Sequence, residues 1–447
     1  MMDADRIIIG AGIAGLLAAR RAVSRGESVL VLDQQTQSGG LVASTRVNDI
    51  DLDTGAEAFS VAEDSCLKLI EELELENAVV YPQRSDARII YSATQRYRIP
   101  HGVLGIPSSL YDPELEDIIS AEALEQARLL DQASLFNLEN VTVAELVVKR
   151  LGPEFLEKLV DPVIAGVHGS SASNLLVRTT IPALSKAMQQ TGSICEGVSV
   201  LRSSQPRPGA AVASLEGGLF RLIQALELSL RVSGVRFRFE VSVSALAQSD
   251  QGWEIESPSR TYRSRFISVC TGIAPALKLF SSLSQTDSSD INHSSVDVAL
   301  VVLEVESAEL NSFPLGSGAL VSEKSSVLAK ATTHVNAKWE WVEATLPSNH
   351  HLIRFSYGRD GVVPSGVLGE FAATDLQLAY GVSDARILNA TTILWPGSLF
   401  QANPAARASI DDLQERATQW GIELCGSYLS GNGLLGITRD HYLRNAS

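Results

Sequence analysis

The stretch from Arg6 to Gln35, RIIIGAGIAGLLAARRAVSRGESVLVLDQQ, constrains the fold of this chain more than any other. Three isoleucines, Ile7 to Ile9, run into Gly10, Gly12 and Gly15 at G-x-G-x-x-G spacing. A helical pattern of alanine, leucine and arginine follows, then a second apolar run that ends at Asp33. The order is strand, turn, helix, strand. Gly10 permits the tight turn, Gly12 lets a pyrophosphate approach the backbone, and Gly15 lets helix and strand pack closely. The helix start, at Ile13 and Ala14, offers unbonded N–H groups and the positive end of the helix dipole. Asp33, placed after the second strand, can accept hydrogen bonds from ribose hydroxyls. The pattern is that of a dinucleotide-binding βαβ unit.

That unit is a small part of 447 residues, and a chain of this length is expected to form two or three domains. The net charge of −16 disfavours non-specific binding to nucleic acid. The opening MMDADR is acidic where a secretory leader would be basic, and no run of about 18 apolar residues follows. A cytoplasmic chain without a transmembrane helix is expected, and contact with a membrane surface stays open because it needs no such run. Cys66, Cys195, Cys270 and Cys425 form no CxxC pair and read as free buried thiols. His350-His351 lack further ligands at metal spacing, so no metal site is expected.

Periodicity organises the rest. Residues 61–80 read as a helix, 86–99 as a hairpin, and PHGVLGIP at 100–107 as a loop. Helical spacing dominates 113–160, where Thr142 and Glu145 fit a capping box. A further helix covers IPALSKAMQQ, and 196–213 reads as a linker. A helix follows the glycines near 217. Val243 falls in an expected strand, VRFRFEVSVSAL, and RFISVCTG is another strand. Residues 281–295 read as an exposed serine-rich loop and 296–357 as strand-rich. The end reads as a helix at 405–419, a strand over ELCGSYL, and the run Ser430-Gly431-Asn432-Gly433 entering a last helix.

A second glycine pair, Gly39-Gly40, and then Asp53-Thr54-Gly55 go beyond a plain nucleotide unit. The segment VLDQQTQSGGLVASTRVNDIDLDTGAEAF resembles flavin-containing amine oxidases and, more closely, the protoporphyrinogen/coproporphyrinogen oxidase family, with bacterial coproporphyrinogen III oxidases nearest. RIPHGVLGIP, VTVAELVVKRLGPEFLEKLVDPVIAGVHG, NLLVRTTIPAL, LEGGLFRLIQAL, AKATTHVNAKWEW, WPGSLFQANPAARASI and CGSYLSGNGLLGI resemble segments of that family in the same order. The sequence departs from the family pattern at Leu41, where Arg or Lys is usual, at Phe400, at Ala405-Ala406, and over Leu434–Ile437.

The resemblance implies an α/β fold with a discontinuous, Rossmann-like FAD-binding domain at 1–60, 208–280 and 398–447. It implies a mixed-sheet substrate domain at 61–105, 185–207 and 281–397, and a helical insertion at 106–184 of the membrane-contacting type. FAD would be held by Gly10, Gly12, Ile13, Ala14, Gly15, Asp33, Gly39, Gly40, Gly55, Ala56, Val243, Thr271 and Gly433. The glycine-rich start of the last helix would stabilise negative charge on a reduced flavin. Pro100, Gly102, Gly105 and Gly166 would shape a tetrapyrrole site, with Arg98 and Lys338, and also Arg178 and Lys186, as partners for its carboxylates. The implied reaction is oxidation of coproporphyrinogen III by oxygen, with release of hydrogen peroxide, in heme biosynthesis. Protoporphyrinogen IX is the alternative substrate. A flavin amine oxidase, a carotenoid desaturase-like enzyme and a non-catalytic flavin-binding protein are the further alternatives. Handover of product to a ferrochelatase and peripheral contact with a membrane are implied as well. No catalytic base is assigned.

Overall fold

A computed structural model of the chain describes residues 2–47, 49–84, 86–203, 212–283, 295–400, 404–431 and 433–446. It divides into two compact units: 1–80 with 212–295 and 404–447, and 81–211 with 296–403.

The first unit is built on a sheet in the order 236–238, 29–32, 4–9, 261–269, 252–256, 245–249. Ala4–Ile9 pairs in parallel with Val29–Leu32, Arg6 opposite Val29, and with Thr261–Val269, Arg6 opposite Phe266. A central parallel strand is covered on both faces, which is why Ile7, Ile8 and Ile9 are all buried. Glu423–Leu424 extends the parallel part beside Ser268 and Val269. The helix Ile13–Ser24 packs against Phe220–Val232 and against the last helix, Leu434–Ala446. The chain's first turn and its last helix therefore meet in one unit.

The second unit carries a seven-stranded sheet in the order 386–400, 295–306, 350–357, 331–334, 318–321, 88–90, 96–98. Gly318–Val321 runs parallel to Arg88–Ile90, and the flanking pairs are antiparallel. Leu368–Tyr380 contributes to the core on one face with Val301, Leu303, Phe355 and Tyr357. A second core joins Ile89 and Ile106 to the helices between 115 and 201. The hairpin expected near 86–99 is present, with Arg88 opposite Arg98. The capping box is also present: Glu145 N donates to Thr142 Oγ1 at 3.1 Å, and Thr142 N donates to Glu145 Oε2 at 2.9 Å.

Four local expectations need correction. Residues 196–203 are not linker: Ile194–Ser203 is a helix whose start is capped by Asp131, which accepts from Ile194 N at 2.7 Å. That cap lies far away in sequence, and Arg150, itself buried, holds its loop by donating to the carbonyl of Asp131 at 2.6 Å. Val243 is not in a strand, because Arg236–Arg238 and Ala245–Ser249 are separate strands joined through it. The strand expected over ELCGSYL stops at Leu424, and Ser427–Ser430 turns helical after Gly426. The helix expected over 61–80 is confined to Ser65–Glu72. Most of the expected serine-rich loop, 284–294, and Asn432 lie outside the described residues.

Candidate active site

The first turn is assembled from backbone that no larger residue could occupy. Gly10 has φ +104°, and a Cβ on Gly15 would stand 1.8 Å from Gly10 O. Gly12 differs: a Cβ there would meet nothing within 4 Å. Gly12 is also the N-cap of Ile13–Ser24, and no side chain caps that helix. The N–H groups of the first helical turn, at Ile13, Ala14 and Gly15, thus start a helix beside open space.

Gly39 and Gly40 come to the same place. Gly39 N donates to Ala11 O at 3.0 Å, and a Cβ on Gly40 would stand 3.4 Å from Gly12 Cα. Gly55 and Ala56 attach one step further out, with Ala56 N donating to Leu41 O at 2.9 Å. Asp33 accepts from Ala11 N at 2.5 Å and Gln35 N at 2.7 Å, one bond on each oxygen. A carboxylate has about four acceptor sites, so capacity remains for ribose hydroxyls. Val243 is half-buried, two residues beyond Val241, whose N–H donates to Asp33 O at 2.8 Å. Thr271 N would lie 3.3 Å from a Cβ on Gly10. Gly433, with φ +92°, faces open space before the last helix and lies apart from this cluster along the chain. All thirteen sequence-selected cofactor residues fall in the first unit.

The comparisons with known proteins decide the family. Residues 13–357 match the family of flavin containing amine oxidoreductases. The chain belongs to that family. It is an FAD-dependent oxidoreductase of α/β fold. It is 27% identical over 466 residues to the coproporphyrinogen III oxidase of Mycobacterium tuberculosis, covering 96% of this chain and 93% of that protein. With the coproporphyrinogen III oxidase of Bacillus subtilis it shares 21% identity, covering 96% and 94%. A solved structure from Exiguobacterium sp. 255-15, assigned as a protoporphyrinogen oxidase, superposes with a TM-score of 0.85 at 21% identity, covering 99% and 98%. At that identity the superposition speaks for the fold.

The residues present fit the flavin cofactor of the family. The uncapped helix start and the open side of Gly12 suit a diphosphate. Ser38 Oγ, next to the glycine pair, is buried with no hydrogen-bond partner among the described residues, which suits a donor or acceptor supplied by a ligand. Asp53 instead holds the fold together, since its carboxylate accepts from Leu219 N at 2.8 Å and Phe220 N at 2.9 Å and so fixes the start of Phe220–Val232.

The selected substrate residues all lie in the second unit. Pro100 is buried, and Gly102 and Gly105 shape a small strand pair, with Gly105 at φ +80° packed against Leu159 O. The space that a Cβ on Gly166 would need is filled by Leu320 Cδ2, 2.3 Å away. Arg98 is exposed and lines a cavity of about 500 Å³ together with Arg88, Arg96 and Lys158. Lys338 does not line that cavity, and its Nζ lies 5.1 Å from the Trp339 ring centre. Arg178 is exposed. Lys186 is exposed as well.

Three groups escaped the sequence reading. Arg21, 3% exposed, donates to Glu423 Oε1 at 2.7 Å and lies 3.2 Å from His441 Nδ1. Burial opposes ionisation of Glu423, but Arg21, Ser268 and Arg6 outweigh it and hold the carboxyl below its usual range. Lys330 is 2% exposed, and burial, with help from Arg359, pushes its ammonium down to about 8. His334 and His351 share a buried contact of 3.0 Å, and burial pushes His334 down to about 3. The one sequence signal was the pair Arg20-Arg21 inside an alanine-rich helix.

Among the described residues no helix is long and apolar enough to cross a membrane. Nor do they hold a group of three or more His, Cys, Asp or Glu side chains fit for a metal ion.

Proposed function

We propose that this chain oxidises coproporphyrinogen III to coproporphyrin III, with oxygen as electron acceptor and hydrogen peroxide as the second product. The observation that carries the reading is the end-to-end correspondence with coproporphyrinogen III oxidases, on a chain whose first turn is built for a flavin dinucleotide. Bound FAD supplies the acceptor for hydride equivalents, which no side chain can be. The protein's own groups bind and orient. The helix start at Ile13–Gly15 receives the diphosphate, Asp33 the ribose, and Gly39 and Gly40 keep the path open. Val243 and Thr271 flank the nucleotide end, and Gly55, Ala56 and Gly433 the other. On the substrate side, Arg98 and Lys338 supply positive charge for rim carboxylates, with Pro100, Gly102 and Gly105 shaping the backbone around them. The second unit's helices at 106–184 are read as a wall of the substrate cavity and as a membrane-surface contact. Delivery of the product to a ferrochelatase completes the reading.

Protoporphyrinogen IX differs in carrying two rim carboxylates instead of four. The test presents each porphyrinogen separately to the flavin-loaded protein in air and follows porphyrin fluorescence. Faster turnover of the tetracarboxylate supports the proposal. Faster turnover of protoporphyrinogen IX transfers it to that substrate, and no fluorescence from either sinks it.

A further inference from the structure

Beneath the first turn lies a pair of thiols that the proposed reaction does not use. Cys270 directly follows the strand Thr261–Val269, and Cys425 directly follows Glu423–Leu424, its parallel neighbour. The register sets Ser268 beside Glu423 and Val269 beside Leu424, so Cys270 and Cys425 are the next pair. Both are still held in the ladder: Cys425 N donates to Val269 O at 3.0 Å, and Cys270 N to Ile9 O at 2.8 Å.

Side-by-side residues of neighbouring strands point to the same face. Here that face meets the first helix. Cys270 Cβ lies 3.4 Å from where a Cβ on Gly15 would stand, and Cys425 Sγ lies 3.3 Å from Arg21 Nη2. Neighbouring strands run about 4.8 Å apart, within the roughly 4.4–6.8 Å between Cα atoms that a disulfide spans. Both thiols are buried and free.

Their surroundings are unequal. Cys425 faces the Arg21 guanidinium, with Arg444 also favouring its thiolate, while Glu423 opposes it from 3.8 Å. The Cys270 thiol beside it and these cations hold Cys425 below its usual range, whereas Cys425 and burial push Cys270 well up. The buried Tyr428 hydroxyl, near both, has no hydrogen-bond partner among the described residues. The guanidinium 3.3 Å from its sulfur makes Cys425 the better placed of the two to attack.

We propose that Cys270 and Cys425 form a modification site that hydrogen peroxide converts into a disulfide. The Cys425 thiolate attacks one peroxide oxygen, the O–O bond breaks, and a sulfenic acid forms while the departing hydroxide takes a proton to become water. The Cys270 sulfur then attacks the sulfenic sulfur. The S–S bond forms, the S–O bond breaks, and the second oxygen leaves as water with the Cys270 proton. Two thiols lose two electrons, and one peroxide becomes two waters. The bond draws Cys425 Sγ away from Arg21. It also ties the segment that leads into Gly431 and Gly433 to the strand under Gly10. The proposal stands on the thiol geometry and needs peroxide from any source, so it is independent of the porphyrinogen reading.

The test uses the full-length folded protein, treated with a molar excess of hydrogen peroxide, then unfolded in urea, alkylated, and digested with trypsin without reduction. The expected product links peptide 266–278 to peptide 417–439. Two of the four thiols become unavailable, Cys66 and Cys195 stay alkylatable, and dithiothreitol reverses the change. In Cys425→Ser the linked peptide disappears; should that variant not fold, the wild-type peptide map decides alone. Oxidation of Cys66 or Cys195 with the pair still free, over-oxidation of Cys425 without a link, or no reaction at all each overturns the proposal.

Discussion

The two units differ in how fully they pair their buried cations. In the first, Arg6 and Arg21 are buried against the half-buried Glu27 and Glu423, with Arg6 Nε 2.5 Å from Glu27 Oε2 and Arg21 Nη2 2.7 Å from Glu423 Oε1. In the second, Arg150 is buried beside Asp131, 3.5 Å away, but Lys330 is buried without an ion pair among the described residues, and His334 and His351 are buried as neutral rings. A paired charge in a low dielectric fixes the elements that carry it; an unpaired one is a cost awaiting a ligand or a lost proton. The first unit is thus built to hold its strands and helices in one arrangement around the glycine turn. The second keeps groups whose charge state is unsettled.

The sharpest way to break this contrast lies inside the turn itself. Gly15→Val places carbon where Gly10 O already stands, and should cost more than about 4 kcal/mol, read as loss of the folded state in a denaturant melt. Gly12→Ala should leave apoprotein stability within about 1 kcal/mol while reducing flavin retention at least tenfold, because its Cβ enters the open space where the proposal puts the diphosphate. Equal destabilisation by both would mean that Gly12 serves packing alone.

Next in size is the charge comparison. Arg21→Met leaves the half-buried Glu423 with only Ser268 and Arg6 as partners and should cost about 2–3 kcal/mol. Lys330→Met should act in the other direction, gaining about 1–3 kcal/mol at pH 7. The sign follows from burial holding this ammonium near 8, below its usual 10.5. The charged form destabilises the folded protein below pH 8, and the penalty is relieved as pH rises from 8 toward 10.5. The gain from Lys330→Met should therefore shrink across that window in urea melts at pH 7, 9 and 10. A loss of stability at pH 7 would show that Lys330 is satisfied as it stands.

Much of the first unit was legible because its constraints are local. A residue-by-residue need for glycine, as at Gly10 and Gly15, leaves a mark in the sequence, and so does the apolar run of a strand buried on both faces. Asp53 was picked out for its place near Gly55, yet its hydrogen bonds go to Leu219 and Phe220, a partnership no local pattern contains. Asp131 capping Ile194 hid a helix inside an expected linker for the same reason. Lys330 left no trace, since an unpaired buried group is defined by what three-dimensional packing takes away from it. Gly166 shows the same limit: its small size serves Leu320, a residue on a distant strand.

Acid offers a smaller, graded comparison. Burial, assisted by Arg21 and Arg20, holds His441 near 4 in the first unit; burial, with His351 and Arg84, holds His334 near 3 in the second. Both rings bind fewer protons folded than unfolded below pH 6.5, so stability falls as pH drops from 6.5 toward 4 and 3. At pH 4.5 each should have cost about 2 kcal/mol relative to pH 7, and His441→Gln should flatten its share of the profile. The smallest effect belongs to Arg98→Gln. Its side chain is exposed, so stability should change by less than about 0.5 kcal/mol, while KM for the tetracarboxylate rises and kcat holds. A fall in kcat with KM unchanged would remove Arg98 from substrate binding.

The central claim is that one flavin held by the first unit takes electrons from coproporphyrinogen III. Its most direct measurement is an anaerobic mixing of the flavin-loaded protein with that porphyrinogen, followed at the oxidised flavin band near about 450 nm. The account predicts that the band bleaches as porphyrin appears, and returns with hydrogen peroxide when air is admitted. A band that stays unchanged while the porphyrinogen persists would contradict it.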